Sequence, residues 1–461
     1  MFPGVPTISW AFLAVSLLGA SFTANAFVPV RRVPALFMPS FFGSWLTAEL
    51  AIHHVFWQSI ASLVFVELGA LAAWPGWAGL VFTLGSWLGL LILFADGHWA
   101  RKTFDRALRG LTAVRDTKPV PRRNVVLPFS KKRRGIRVTR DIPYRRVAGT
   151  VLKLDVVAPA VAPAEPGTDP APAEPGTDPA AAAAEPGTNR AGTNPARGAK
   201  RPAIMQIHGG SWVMGDKREQ GWPLLSHLAA NGWVCFNLNY RLSPGATFPD
   251  HLIDLKAGLA WIREHAEEWG IDPDFVAVTG GSAGGHLAAL MGLTANDPEY
   301  QPGFEQADTS VQAAVPIYGV YDFTSRLGTN RLPFWYRRLE GQIMKAFRDE
   351  EPEKFRRASP IERIHPDAPP FFVIHGDRDT LAPVEEARYF AAKLGKVSKS
   401  RVFYAELGGA QHAFDLFCSP RTSHMLVAVL KFLDATRSSA RAEAAKPLLD
   451  DRVTHLGVAV R

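Results

Sequence analysis

Three apolar stretches crowd the first hundred positions of this 461-residue chain: Ile8–Val28, Val55–Trp74 and Trp77–Ala95. Each is about twenty residues long, the length a helix needs to cross a hydrocarbon core. Trp74-Pro75-Gly76-Trp77 joins the last two, with helix breakers flanked by tryptophans suited to headgroup level. The expectation is a tight transmembrane hairpin preceded by a further span. Ala24-Asn25-Ala26 has the form of a signal-peptide cleavage site, but no Lys or Arg precedes the first stretch. Three spans with the N-terminus outside put Arg31, Arg32 and the basic residues after the third span on the inner side, as the positive-inside bias asks. Leu36–Ala51, apolar but broken by Pro39, is the ambiguous segment; a fourth span there would invert the N-terminus. Glu67 is the one acid inside the hairpin.

The net charge of +8 is uneven. Residues 101–149 hold sixteen Lys and Arg against three acids, and the rest is slightly acidic. Arg101, Lys102, Arg106 and Arg109 directly follow the third apolar stretch, and Lys131–Arg134 comes soon after. That position suits an anionic membrane surface. No DNA-reading motif accompanies the charge, so nucleic acid is not an expected partner. Residues 101–144 read as a basic juxtamembrane segment, 145–437 as one folded domain and 438–461 as a C-terminal tail. Two cysteines make neither a disulfide framework nor a zinc pattern, and Cys235 sits in an apolar run that reads as core.

Residues 161–198 repeat EPGTDP from Glu165 and Glu174, and EPGTN from Glu185. Such a Pro- and Gly-rich tract cannot build a core. Strand-like sequence flanks it closely, so it reads as an insertion inside a domain. Beyond it, strand-length apolar runs at Ile204–Ile207, Val234–Leu238, Val276–Val278, Ala313–Ile317, Phe371–Ile374 and Arg401–Tyr404 alternate with amphipathic segments such as Leu252–His265 and Glu385–Leu394. That alternation predicts an α/β fold, a mainly parallel sheet with helices on both faces, whose site lies at the carboxyl ends of the strands.

Three loops at those ends carry chemistry. Gly280-Gly281-Ser282-Ala283-Gly284 is a G-x-S-x-G between a strand and a helix, the context of a nucleophile elbow. Taken alone, it also fits a glycine-rich turn or a phosphate cradle. His208-Gly209-Gly210-Ser211-Trp212 follows an earlier strand; the N–H groups of Gly209 and Gly210, with that of Ala283, would suit the oxyanion of an acyl-transfer intermediate. Asp379 lies in HGDRDTLAP and His412 in QHAF. The order Ser282, Asp379, His412 is that of an α/β-hydrolase triad. Asp377 is the rival acid; His375, His286 and His424 are the rival bases. His208 reads as structural.

HGGSW, NYRLSP with FPD, GGSAGGHLA, HGDRDTLAP and QHAF together resemble α/β-hydrolase esterases of the hormone-sensitive-lipase-like group, and within it bacterial membrane-anchored carboxylesterases. The resemblance covers roughly residues 145–435. It implies a Ser282–Asp379–His412 triad, an oxyanion hole of Gly209, Gly210 and Ala283, structural roles for Tyr240 and Arg241, and no metal or cofactor. The family often has a third glycine where Ser211 stands and an acid where Gly281 stands. Asp322–Arg357 takes the place of a cap, where Phe334, Trp335 and Tyr336 either line an acyl pocket or pack a short lid. The expected activity is a membrane-anchored serine carboxylesterase acting on short- to medium-chain or lipid-like esters, with its catalytic domain on the cytoplasmic side. An arylformamidase-type amidase and a catalytically silent membrane scaffold are the alternatives; the oligomeric state does not follow from the sequence. Because long surface insertions cost little closure entropy, deleting residues 162–197 is expected to leave the fold intact, with thermal unfolding followed by circular dichroism shifting by no more than a few degrees.

Overall fold

The computed structural model describes residues 5–31, 33–111, 118–129, 135–160, 200–329 and 333–444. The repeat insertion 161–198 and the Lys131–Arg134 cluster lie outside them.

Eight strands form one sheet: β1 (Ile136–Val147), β2 (Thr150–Pro159), β3 (Arg201–Ile207), β4 (Val234–Leu238), β5 (Ile271–Gly281), β6 (Ala313–Ile317), β7 (Phe371–Gly376) and β8 (Val402–Leu407). Their spatial order is β1-β2-β4-β3-β5-β6-β7-β8. β1, β2 and β4 pair antiparallel; every other pairing is parallel. The parallel strands read as unbroken apolar runs because both of their faces are covered. One face packs on helices that include Asp250–Glu264, Ala283–Leu293 and Val384–Val397. The other packs on Trp222–Ala230 and Pro420–Ala444. This is the mostly parallel, doubly covered sheet expected of an α/β-hydrolase. Cys235 is buried within it, as its apolar surroundings predict.

β1 begins inside the segment read as juxtamembrane, so the sheet starts at Ile136 rather than near 145. The sequence hides this strand because it is an edge. Pro143, Arg137, Arg140, Arg145 and Arg146 are what an edge strand carries to avoid pairing with another chain. At the other end, Pro420–Ala444 runs past 437, so the first residues assigned to a tail continue a packed helix.

The N-terminal region holds four helices: α1 (Thr7–Phe27), α2 (Pro34–Glu49), α3 (Ala51–Glu67) and α4 (Trp74–Ala107). Trp10 meets Trp74, and Ser16 and Thr23 bond to Thr83 and Ser86, so α1 and α4 run parallel. Phe65 stacks on Phe12 and Gln58 lies beside Gly19, so α3 runs antiparallel to both. The hydroxyls pair inward, while Leu18, Phe56, Trp57, Leu63, Val81 and Leu88 are exposed. That polarity is the inverse of a water-soluble bundle. α1 and α4 are each long and apolar enough to cross a membrane; α2 and α3 together pass the same test but are bent by 93°.

Two expectations for this region are corrected. Pro75 does not break a helix; it opens α4 at a position where its missing N–H costs nothing. The turn lies earlier, at Leu68–Ala73 with Gly69 at φ 82°, so the second apolar helix is Ala51–Glu67 rather than Val55–Trp74. Glu67 sits exposed at its end.

The bundle and the sheet share a core. α4 continues into the domain core, where Ala100, Phe104 and Leu108 pack with residues of the sheet and of Pro420–Ala444. α2 is clamped independently. Glu49 pairs with Arg421 and accepts a 2.7 Å bond from Ser419, with both charged side chains buried. Trp45 Nε1 donates to Ala413 O at 3.0 Å. Arg378 donates to Ala26 O at 3.0 Å at the end of α1. Breaking a buried ion pair leaves an uncompensated charge in low dielectric. Glu49→Ala is therefore expected to destabilise the protein by about 3 kcal/mol, read as a lower unfolding midpoint in detergent, and more than Glu67→Ala does.

Candidate active site

β3 is flanked by β4 on one side and β5 on the other, and the chain order reverses between β3 and β5. A crevice opens at the carboxyl ends of strands at such a switch point. The two loops singled out in the sequence emerge there side by side: His208–Trp212 after β3, and the Ser282 turn after β5.

Ser282 has φ 58° and ψ −121°, a strained conformation for a residue with a side chain. Its glycine neighbours explain how the turn is held. A Cβ on Gly280 would lie 2.4 Å from Gly284 O, and one on Gly284 would lie 2.1 Å from Ile207 O. The strand, the turn and the helix beginning at Ala283 touch backbone to backbone. A Cβ on Gly281 would lie 2.6 Å from the Tyr318 hydroxyl. That hydroxyl in turn donates to the buried Asp415, whose carboxyl is pushed up to about 6 by burial.

His412 bridges two of the predicted residues. Its Nδ1 lies 2.6 Å from Asp379 Oδ2 and its Nε2 lies 2.8 Å from Ser282 Oγ. Asp379 is buried, and burial alone would raise its pKa. The positive charge that His412 can carry, with the hydrogen bonds from His375 and His412, outweighs that and holds the carboxyl well below the usual range. The N–H groups of Leu381 and Ala382 each donate to its Oδ1 at 2.8 Å. Gln411 Oε1 accepts from the N–H groups of Thr380 and His412 at 2.8 and 2.9 Å, tying the acid loop to the histidine loop. QHAF contains Gln411 but says nothing of its role, and no sequence signal points to Tyr318, because both roles depend on which loops meet.

The rivals fall elsewhere. Asp377 accepts from Gly409 N–H at 2.8 Å. His375 is buried beneath Asp379, its Nε2 3.2 Å from the same Oδ2. His286 stacks on Phe323, and burial pushes its pKa down to about 3. His424 lies beside His98. His208 stacks on Tyr240, whose hydroxyl donates to His208 O at 3.1 Å; Arg241 pairs with Asp254 and Asp250. These are the structural roles expected of all three.

The set of candidate oxyanion donors changes. Gly209 N–H is already engaged, donating to Gln220 Oε1 at 2.7 Å. Gly210 and Ser211 line the crevice with Ser282 and His412. Ser211 has φ 53°, in the region where glycine is favoured. Ala283 is the first residue of its helix, where an N–H has no intrahelical acceptor.

The crevice continues into a cavity of about 340 Å³. Trp212, Tyr318, Trp335 and Arg338 form part of its wall, and α2 supplies Phe37, Met38, Phe41, Phe42 and Trp45. Of the three aromatic residues expected at a cap, Trp335 reaches the cavity. Tyr336 turns away to Ser325, with Arg348 over its ring. The side chain of Phe334 lies outside the described residues.

The BD-FAE family model matches residues 193–394. The match includes Ser282 and Asp379 and ends before His412. Over 232 residues the chain is 55% identical to the Probable carboxylic ester hydrolase LipM of Mycobacterium tuberculosis, covering 50% of this chain and 54% of that one. Esterase LipQ of the same organism is 46% identical over 52% of this chain and 56% of its own. Esterase LipC is 47% identical over 54% and 61%. The chain thus spans little more than half the length of the curated relatives it matches. A solved butyrate-bound esterase from Thermogutta terrifontis aligns with 68% of this chain and 95% of its own at 24% identity and a TM-score of 0.48. These similarities bear out the expected resemblance to α/β-hydrolase carboxylesterases.

A carboxylate held below its unfolded pKa stabilises the fold above about pH 4, and that contribution is lost as pH falls through the folded value. The stability gap between wild type and Asp379→Asn is therefore expected to narrow as urea unfolding is repeated from pH 6 to pH 3.

Proposed function

We propose that the protein is a serine carboxylesterase held at a membrane by its N-terminal helices. The observation that carries the catalytic part is the unbroken line of hydrogen bonds from Ser282 through His412 to Asp379. His412 Nε2 takes the proton of Ser282 Oγ as the hydroxyl attacks the ester carbonyl. Asp379 accepts from Nδ1, which fixes the tautomer that leaves Nε2 free to act as base, and it stabilises the imidazolium that forms. The carbonyl oxygen becomes negative in a crevice walled by Gly210 and Ser211 and facing the start of the Ala283–Leu293 helix. Backbone donors at Gly210, Ser211 and Ala283 suit it, in place of the Gly209 N–H that Gln220 occupies. His412 returns the proton to the leaving alcohol, and the acyl group remains on Ser282. Water, activated by the same histidine, then releases the acid. A silent scaffold has no use for Asp379, buried and ringed by donors that serve only its contact with His412. The similarity to esterases favours an ester over an amide.

Membrane attachment is supported by the outward apolar faces of α1, α3 and α4. Exposed Trp77 and Trp99 on α4 lie 22 residues apart. At 1.5 Å per residue this is about 33 Å, close to the thickness of a hydrocarbon core. Three spans, α1, α3 and α4, would put the sheet on the side opposite the N-terminus, with Arg101, Lys102, Arg106 and Arg109 facing the inner leaflet, and so a cytoplasmic catalytic domain.

Full-length protein in detergent is expected to hydrolyse p-nitrophenyl esters. Ser282→Ala should fall to background, and Asp379→Asn should lose about 10⁴ in kcat, while Asp377→Asn stays within a few-fold of wild type. Equal loss in both aspartate variants would displace the assignment of the acid, and background activity in the wild type would displace the esterase.

A further inference from the structure

We infer that α2 is the acyl-binding wall of the site and its entrance from the lipid, so that the substrates are esters with long apolar chains dissolved in the bilayer; this rests on the esterase reading above. Enzymes of this general architecture can roof the crevice with a cap inserted between strands. Here the cap segment contributes Trp335 and Arg338, while five cavity residues come from α2, outside the sheet domain altogether.

The position of α2 gives that wall its meaning. It follows the end of α1, where Ala26 packs on Leu90 and Leu93, so it lies at the depth of the last apolar turns of α4, near Trp99. It is bent by 93° from α3. With α3 crossing the bilayer, α2 lies along the membrane plane at the side of the sheet. One stripe of α2, Phe37, Phe41 and Trp45 at spacings of four, is buried toward the catalytic domain. Phe41 faces the His412 ring at 6.5 Å between centroids, and Trp45 stacks on Phe417. Met38 and Phe42, also four apart, touch the cavity yet remain 43% and 47% exposed. They stand between the cavity and the lipid. A polar ester bond can reach Ser282 while its chain stays in an apolar environment from bilayer to cavity, with no desolvation of the chain to overcome.

The placement is built rather than incidental. The buried Glu49–Arg421 pair and the Trp45–Ala413 hydrogen bond fasten α2 to the segment that carries His412. The same clamp makes the N-terminal region part of the site, not only a tether.

The test uses the full chain in phosphatidylcholine vesicles, with p-nitrophenyl acetate and p-nitrophenyl myristate assayed on the same preparation. A charge or a truncation at the entrance should penalise the long chain selectively. Met38→Glu and Phe42→Ala are expected to lower the myristate-to-acetate ratio of kcat/KM by about tenfold or more, the size that a few lost methylene contacts produce, through KM more than kcat. A general folding defect lowers both rates and leaves the ratio alone, and fluorophosphonate labelling counts competent sites. As a second measurement, a myristoyl ester with a chain-terminal diazirine is photolysed with Ser282→Ala protein; the adduct is expected within Pro34–Glu49. A ratio unmoved in both variants, or an adduct confined to Asp322–Arg357, overturns this inference while wild-type hydrolysis leaves the esterase standing. Wild-type protein that turns over neither ester removes both.

Discussion

The site depends on a contact with no side chains in it. At the switch point between β3 and β5, Gly280 and Gly284 let the elbow backbone rest against Ile207 O and against itself at separations that no Cβ would permit. That approach sets the height of the Ala283–Leu293 helix above the sheet and the strained backbone of Ser282 at its mouth. The other loops of the site are referenced to that point: the Gly210–Ser211 loop arrives from the neighbouring strand, and the acid and histidine loops arrive from β7 and β8 respectively. Strain is concentrated in one residue because the packed backbone around it has no room to relax.

Electrostatics then selects one carboxylate from two. Asp377 and Asp379 are neighbours in sequence, but their surroundings differ. Asp377 accepts from Gly409 and sits where burial raises its pKa. Asp379 is more deeply buried, yet four donors, two backbone N–H groups and two imidazoles, keep it ionised. A buried charge so fully satisfied is rigid, and rigidity is what orients an imidazole. Gln411 adds to this by bonding both loops at once.

The N-terminal bundle and the hydrolase sheet are physically one body. α4 begins among exposed tryptophans and ends as a core helix against the sheet. α2, pinned by Glu49 and Trp45, closes the cavity from the opposite side. The site is therefore made of two regions that the composition of the chain would assign to different solvents.

Much of this was legible in the sequence, and for definite reasons. The parallel strands read as apolar runs because both faces are covered, and HGGSW, G-x-S-x-G, HGDRDTLAP and QHAF fall in chain order at strand ends, so the sequence marks Ser282, Asp379 and His412 as candidates. Apolar length alone marked α1 and α4. What stayed hidden depends on contacts between distant segments. β1 is disguised by the Pro and Arg residues of an edge; Gly209 reads as a free donor because nothing local reveals that Gln220 claims its N–H; and α2, which reads as one more apolar stretch broken by Pro39, becomes a wall of the cavity only because Arg421, Ser419 and Ala413 hold it there. Periodicity and motif spacing report the demands that a segment makes on its own backbone and solvent. Which donors are already spent, and which helix closes a cavity, is decided when segments hundreds of residues apart compete for the same hydrogen bonds and the same buried volume.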